Sequence, residues 1–292
     1  MTVHAPMTPI DTLSGEAGET APFGTYAPRG LVRWIVERTR RLSGSWASWR
    51  LLFLLRRVAI AALKGAPVDV EALGARLRLY PYNNICEKKV LFTPQFFDPE
   101  ELAFLRGRLG AGFAFVDVGA NVGAYALFAA AHAGPGARIL AVEPQPEIFE
   151  RLVANIRFNP FGTVKAVACA VADKAGELTM FLDPRNSGES SVKIVGSSQA
   201  RTVKVPAKTL LEIVTEEGFD RLDAVKLDVE GAEDLILEPY LRDAPKALHP
   251  DLLIVEDGTG QWQVDLPKLV ESHGYRLLRK TRLNFVYERV GP

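Results

Sequence analysis

The chain has few of the side chains that most often carry chemistry or cross-links. Its 292 residues include two cysteines and four histidines. Cys86 sits in an irregular polar stretch and Cys169 in an apolar one. They make no disulfide framework and lack metal-ligand spacing, so free thiols in a reducing compartment are expected. An excess of one charge is also missing, because 35 Lys and Arg balance 35 Asp and Glu. That removes any general attraction to nucleic acid. Before Arg29 there is neither a basic residue nor an apolar core segment, so no secretory signal is read there. Long hydrophobic runs are absent too. In the most apolar helical stretch the uncharged runs are Leu51–Leu55 and Val58–Leu63, far too short to span a bilayer.

What is present is a 48% hydrophobic composition, enough for one large domain with an appendage. Met1–Pro28 is rich in Pro, Thr, Gly and Ala and reads as a disordered tail. Residues 1–30 are therefore taken as tail, 31–110 as a helical and β extension, and 111–292 as the main domain. Charge is uneven within this plan. Leu31 to Lys64 carries eight basic residues against Glu37 alone. Trp46–Lys64 has helical spacing, with Arg50, Arg57 and Lys64 on one face and Leu51, Leu55, Val58, Ala59 and Ala62 on the other. With Trp34, Trp46 and Trp49 nearby, such a helix suits peripheral contact with an anionic membrane. The favoured expectation is that its apolar face packs on the main domain while its arginines face water.

The segment Phe113 to Glu143 is the most specific. Ala114–Val118 is a short apolar run ending in a glycine turn, as a buried parallel strand does. Gly119, Asn121 and Gly123 open a helix, and Arg138–Val142 is a second buried strand with Glu143 at its C-terminal end, 20 residues after Gly123. One βαβ unit with a glycine-rich turn and a following acid is the arrangement that holds an adenosine ribose. A dinucleotide fingerprint wants Gly-x-Gly-x-x-Gly, to seat a pyrophosphate on backbone N–H groups. Here Asn121 takes the middle position and Asp117 precedes the first glycine. A carboxylate there repels pyrophosphate and suits a cationic amino or sulfonium group. S-adenosylmethionine carries both and no phosphate. A dinucleotide site and a purely packing glycine turn remain the alternatives.

Val116-Asp117-Val118-Gly119-Ala120-Asn121-Val122-Gly123, then Glu143-Pro144-x-Pro146, then Lys226-Leu-Asp228-Val-Glu230-Gly231-x-Glu233 resemble the FkbM-type methyltransferases. The resemblance runs from about Leu77 to Tyr287. It implies an α/β class I methyltransferase (Rossmann-like) fold, use of S-adenosylmethionine, and methylation mostly of hydroxyl oxygens. The pattern of elements agrees. Strands Ala114–Val118, Arg138–Val142, Val164–Val171, Ala224–Asp228 and Leu252–Glu256 alternate with helices, and a hairpin of Tyr275–Arg279 and Asn284–Glu288 closes the chain. This gives a mostly parallel seven-stranded sheet with helices on both faces. A β-rich insert is expected over Leu178–Leu182 and Ser190–Val205. Upstream, Arg76–Phe92 reads as paired short strands around Pro81-Tyr82-Asn83-Asn84, and Pro99–Leu109 as a short helix.

In such sheets the ligand lies beyond the carboxyl ends of the strands. This chain places Asp117, Glu143, Asp173, Asp228 and Glu256 with Asp257 there, far more carboxylates than folding needs. Glu143 is assigned to the ribose hydroxyls. Asp173 is assigned to the adenine amino group with Ala170 as a flat contact, although a plain turn role before Gly176 fits it nearly as well. Asn121 and the Gly119–Gly123 backbone are assigned to the methionine carboxylate, with Tyr125 in reach. Methyl transfer needs an in-line acceptor oxygen and a group to take its proton. None of the four histidines sits well for that, which leaves Asp228, then Lys226, with Glu256 beside them. A magnesium ion between Asp228, Glu256 and Asp257 is an alternative route to the same deprotonation; some class I O-methyltransferases of other families hold one in the equivalent place. The acceptor is expected to be a hydroxyl on a sugar, glycolipid or secondary metabolite, met by Pro81–Asn84, Asn186–Ser191 and Asp257–Trp262. The competing functions are an NAD(P)-dependent oxidoreductase and a non-catalytic, membrane-attached binding protein. A cytoplasmic location is expected, peripheral to the membrane if residues 46–64 dock there.

Overall fold

The computed structural model of the chain describes residues 20–182, 190–191 and 201–291. Its first elements are α1 (Gly30–Thr39), α2 (Trp46–Leu63), the hairpin β1 (Val68–Ala72) and β2 (Ala75–Leu79), α3 (Ile85–Phe92) and α4 (Pro99–Arg106). The alternating part follows as β3 (Ala114–Val118), α5 (Ala124–His132), β4 (Arg138–Val142), α6 (Pro146–Arg157) and β5 (Val164–Val167). An insert comprises β6 (Ala170–Val171), β7 (Gly176–Leu182), β8 (Ser190–Ser191) and β9 (Arg201–Lys208). The chain then runs through α7 (Leu210–Glu216), β10 (Ala224–Leu227), α8 (Glu233–Asp243), β11 (Leu252–Glu256), α9 (Leu266–Ser272), β12 (Tyr275–Lys280) and β13 (Asn284–Arg289).

The seven-stranded sheet has the order β12-β13-β11-β10-β3-β4-β5. Strand β13 is antiparallel to both neighbours and the rest are parallel. This is the class I methyltransferase fold. Strands β3 and β10 are buried along their whole length and are apolar apart from Asp117 and Lys226, which sit side by side in the register. Alternate side chains of the sheet feed two cores. Phe115, Ile139 and Ile254 meet Leu127 and Leu152 of α5 and α6 on one face. Val116, Leu140 and Leu253 meet Ile213, Leu237 and Val270 of α7, α8 and α9 on the other. The register pairs Lys226 with Asp117 and Asp117 with Ala141. The first residues past β3, β4 and β10 therefore fall on one edge, at the point where strand order reverses and a ligand crevice opens.

The extension departs from its expected layout. The paired strands lie before Pro81, in β1 and β2. They are joined by Leu73 and Gly74 at φ +55° and +85°, the two left-handed residues that a tight hairpin demands. Ile85–Phe92 is a helix, capped by Asn84 Oδ1 accepting from the Glu87 N–H at 3.1 Å. Asp69 and Arg78 face each other across the hairpin and are both buried, with Arg78 Nε donating to Asp69 Oδ1 at 2.7 Å. The same carboxylate accepts from the backbone N–H of Gly24 and Tyr26, and Arg78 donates to the carbonyls of Ala21 and Pro22. Residues 21–26, grouped with the tail on composition, are thus tied to the hairpin; residues 1–19 lie outside those described. The extension docks on α6 through Arg151 Nη1 to Glu87 Oε1 at 2.7 Å and Arg78 N–H to Asn155 Oδ1 at 2.7 Å. The expected strand Val164–Val171 divides in two, because Ala170–Val171 leaves β4 and pairs with β9 in a separate four-stranded sheet. Residues 192–200 of the expected insert lie outside the described residues.

Candidate active site

A cavity opens at the carboxyl edge of β3, β4 and β10. Its wall includes Asp117, Gly119, Asn121, Tyr125, Glu143, Ala170, Lys226, Asp228 and Glu256. Of the residues expected at the site, Gly123 and Asp173 stand apart from it. Gly123 sits at φ +91° beneath α5, where a Cβ would meet Leu152 Cδ1 at 2.8 Å, so it serves the packing of the turn. Asp173 is exposed in a bend.

The glycine turn is held by its neighbours. Asp117 Oδ2 accepts from the Ala126 N–H at 3.0 Å and so satisfies one of the donors left open at the start of α5. Its Oδ1 is buried with no hydrogen-bond partner among the described residues. Burial pushes the Asp117 carboxyl up to about 6, against the pull of the Lys226 ammonium. Glu143 accepts from the Asn121 N–H through Oε2 at 2.9 Å and from the Gln145 N–H through Oε1 at 3.0 Å. Burial raises it to about 7, although both backbone donors favour its ionised form. Asn121, at φ +50°, takes a hydrogen bond from Asn84 Nδ2 at 2.9 Å, which fastens the extension to the turn.

Beside the turn lies a charged cluster. Lys226 is 3% exposed, donates to Asp228 Oδ2 at 2.8 Å, and stands 4.8 Å from the centre of the Tyr125 ring. Burial disfavours its ammonium form, but Asp228, Asp117 and Asp98 outweigh that, and its pKa lies above the usual lysine value. A lysine so held is a fixed positive charge at neutral pH, not a proton acceptor. Burial opposes ionisation of Asp228 as well, but Lys226 and a hydrogen bond from Glu256 hold its carboxyl below the ordinary value. Glu256 moves the other way, to about 10, through burial and the adjacent Asp228 charge. At neutral pH the two carboxyls share one proton, with Asp228 as the anion. Tyr125 donates its hydroxyl to Asp98 Oδ2 at 3.0 Å, which occupies the group expected to meet the methionine carboxylate.

Asp228, Glu230 and Glu256 each bring one oxygen within 4.8 Å of the others, a grouping able to hold a cation. Asp257, expected in that set, is engaged elsewhere by Lys280 Nζ at 3.1 Å and the Thr259 N–H. The loop after β10 is braced by Glu233. Its fully buried carboxylate accepts from Val229 N–H, Gly231 N–H and Trp262 Nε1 at 3.1, 3.1 and 2.8 Å.

Cys86, Lys89 and Asp98 are among the further wall residues that the sequence reading did not place at the site. They come from the extension, and no local motif marks them. Of the regions expected to meet an acceptor, Asn84 lines the cavity, Asp257–Trp262 lies outside its wall, and residues 186–189 are not among those described. Both thiols face the cavity in protonated form, Cys169 being raised by burial to about 11.

The profile of the family described as Methyltransferase FkbM domain matches residues 117–277. The chain is 31% identical over 209 residues to the protein named methyltransferase sdnD of Sordaria araneosa, covering 61% of this chain and 77% of that one. It is 30% identical over 158 residues to the hexuronic acid methyltransferase AglP of Haloferax volcanii, covering 53% and 60%. Among solved structures, the METTL16 methyltransferase domain overlays with a TM-score of 0.46 at 14% identity, over 80% of this chain and 78% of that one.

Proposed function

The chain belongs to the FkbM methyltransferase family, and from that premise we propose that it transfers a methyl group from S-adenosylmethionine to a hydroxyl oxygen of a sugar or secondary metabolite. The observation that carries this reading is Asp117. It places a buried carboxylate oxygen without a partner in the glycine turn, beside Glu143 and Asp228. A pyrophosphate brought there meets three acids, whereas an ammonium or sulfonium gives Asp117 the partner it lacks. Gly119 lets the turn close against the Asp228 backbone, where a Cβ would stand 1.9 Å from the Asp228 carbonyl oxygen, and so keeps Asp117 and Asp228 on one wall of the crevice.

When bound, S-adenosylmethionine supplies a methyl group activated by its sulfonium. The chain's own part is to hold and to deprotonate. Glu143, fixed by two backbone N–H groups, keeps lone pairs for the ribose hydroxyls. Ala170 and Met180 give the cavity an apolar end suited to adenine. Lys226 pins Asp228 in place and keeps it anionic, so Asp228 is the base for the acceptor proton, and Glu256 stabilises it through the shared proton. The acceptor side carries the carboxyls of Asp98, Asp228, Glu230 and Glu256 against Lys89 and Lys226, and with one proton shared between Asp228 and Glu256 the acids still outnumber the cations. This negative balance favours a neutral hydroxyl over a carboxylate as the acceptor. A hexuronic acid, the substrate class in the name of the Haloferax relative, offers both.

The test is transfer of label from methyl-labelled S-adenosylmethionine to fractionated glycan and metabolite extracts. A label that survives mild alkali is an ether on a hydroxyl, and one that is released is an ester. A second reading, cation-assisted deprotonation, is favoured by the Asp228, Glu230 and Glu256 grouping. Loss of turnover on chelation, restored by magnesium, would select it over a proton shared between Asp228 and Glu256.

A further inference from the structure

Helix α2 holds no acidic residue in 18 positions and is apolar on two sides. Its inner side is covered: Leu52 and Ala59 are buried, and Leu55, Ile60 and Leu63 pack against the core. Its outer side is bare. Trp46 is 73% exposed, Leu54 61% and Phe53 51%, with Leu51 and Val58 exposed beside them. This corrects the expected division, in which Leu51 and Val58 joined the packed face. A contiguous apolar helix face is ordinarily covered. The neighbouring α1, packed on α2, adds exposed Leu31 and Trp34.

The cations set among these side chains say what covers them. Arg50 and Arg57 are exposed on α2, and Lys64, the residue that caps it, is exposed as well. The Arg50 guanidinium lies 4.8 Å from the Trp46 ring centre, and that of Arg56 lies 5.0 Å from the Phe53 ring centre. Each guanidinium therefore rests on an aromatic face, and long cationic side chains laid along apolar surface are the habit of residues at a lipid headgroup boundary. Tryptophan favours the same depth. A second copy on this face would bring like charges together in a two-fold contact. No helix among the described residues is long and apolar enough to cross a membrane, so the contact is one of lying on a surface.

We propose that the α1–α2 pair docks the protein on an anionic bilayer, with Trp46, Phe53, Leu54 and Trp34 entering the interface and Arg50, Arg57 and Lys64 meeting the headgroups. Docking reaches the cavity through short links. Trp49 packs on Phe96 with ring centres 5.6 Å apart, and Gln95 Nε2 donates to the carbonyls of Thr39 and Leu42. Arg40 Nε donates to the Leu91 carbonyl at the end of α3. Phe97 and Asp98 continue from the first contact into the cavity wall, and α3 carries Cys86 and Lys89 there. The surface that meets lipid is thus directly bonded to the segment that lines the acceptor side.

The experiment is flotation of the full chain with vesicles of phosphatidylcholine alone or mixed three to one with phosphatidylglycerol. Retention on the mixed vesicles, weak retention on phosphatidylcholine, and release as salt rises from about 0.1 to 0.5 M are expected. The triple variant Arg50→Glu, Arg57→Glu, Lys64→Glu should partition about a hundredfold less. Phe53→Ser with Leu54→Asp should also release the protein, with the thermal midpoint unchanged because both side chains are exposed. S-adenosylhomocysteine affinity of both variants serves as a fold control independent of turnover. Failure to float on either vesicle overturns the proposal. So does equal flotation on both lipids, or a concentration-dependent dimer that Leu54→Asp dissolves.

Discussion

Gly119 and Asp228 touch backbone to backbone across the switch point. Gly119 lies at φ +74°, and a Cβ built on it would stand 1.9 Å from the Asp228 carbonyl oxygen. The glycine turn and the loop after β10 are therefore in direct contact, and beside that contact the Asp228 N–H donates to the Val118 carbonyl at 3.1 Å. Gly119→Ala is expected to force the two loops apart. It should abolish S-adenosylhomocysteine binding in calorimetry and lower the thermal midpoint, since it combines a left-handed φ with a backbone clash. Normal binding by a variant of unchanged stability would break this link.

Glu143→Ala should weaken S-adenosylhomocysteine binding at least tenfold, from loss of charge-assisted hydrogen bonds worth about 1.5–3 kcal/mol each. The wild-type affinity should also depend on pH. Glu143 is raised to about 7 and Asp117 to about 6 in the free protein. Ribose hydroxyls and an ammonium favour the ionised forms. Affinity should therefore be full above about pH 8 and fall as pH drops through 7 and 6, with proton release on binding near pH 7 and below. Affinity unchanged between pH 5.5 and 8 would place the ligand away from both acids.

Asp228→Asn should lower turnover about a hundredfold or more while S-adenosylmethionine still binds, the loss typical of a missing general base. Glu256→Gln keeps a hydrogen-bond donor toward Asp228 and should cost less than Asp228→Asn. The reverse ranking would move the base to Glu256.

Glu233→Ala should act on position. Removing this buried carboxylate leaves Val229 N–H, Gly231 N–H and Trp262 Nε1 without their acceptor. A cost of about 1–3 kcal/mol per orphaned group predicts a clear fall in thermal midpoint, with turnover reduced through displacement of Asp228 and Glu230. Retained stability would mean that other groups hold the loop.

The parallel sheet was legible because burial on both faces leaves short, mostly apolar runs. Ala114–Val118, Arg138–Val142 and Leu252–Glu256 have the bounds that the sequence suggests. The hairpin β1–β2 was not, since its buried Asp69–Arg78 pair places charges where an inward-facing strand position normally shows an apolar residue. Helix α3 was hidden because Asn84, its cap, looks like a turn residue beside Pro81. At the site, Gly119, Glu143 and Asp228 follow strands and carry a local pattern. Glu233 falls in the same pattern as Asp228, though its bracing of the loop does not show there, whereas Asp98 and Lys89 reach the site through tertiary contacts that spacing along the chain does not reveal. The outer face of α2 shows the same limit: helical periodicity separates faces, but only packing decides which one stays bare.

The central claim, that the crevice takes S-adenosylmethionine and not a dinucleotide, is tested most directly by isothermal titration of the wild-type chain with S-adenosylhomocysteine and, separately, with NAD at pH 8. The account predicts saturable one-to-one binding of S-adenosylhomocysteine, weakened at least tenfold by Glu143→Ala, and no heat of binding with NAD. Binding of NAD with no response to S-adenosylhomocysteine would contradict it.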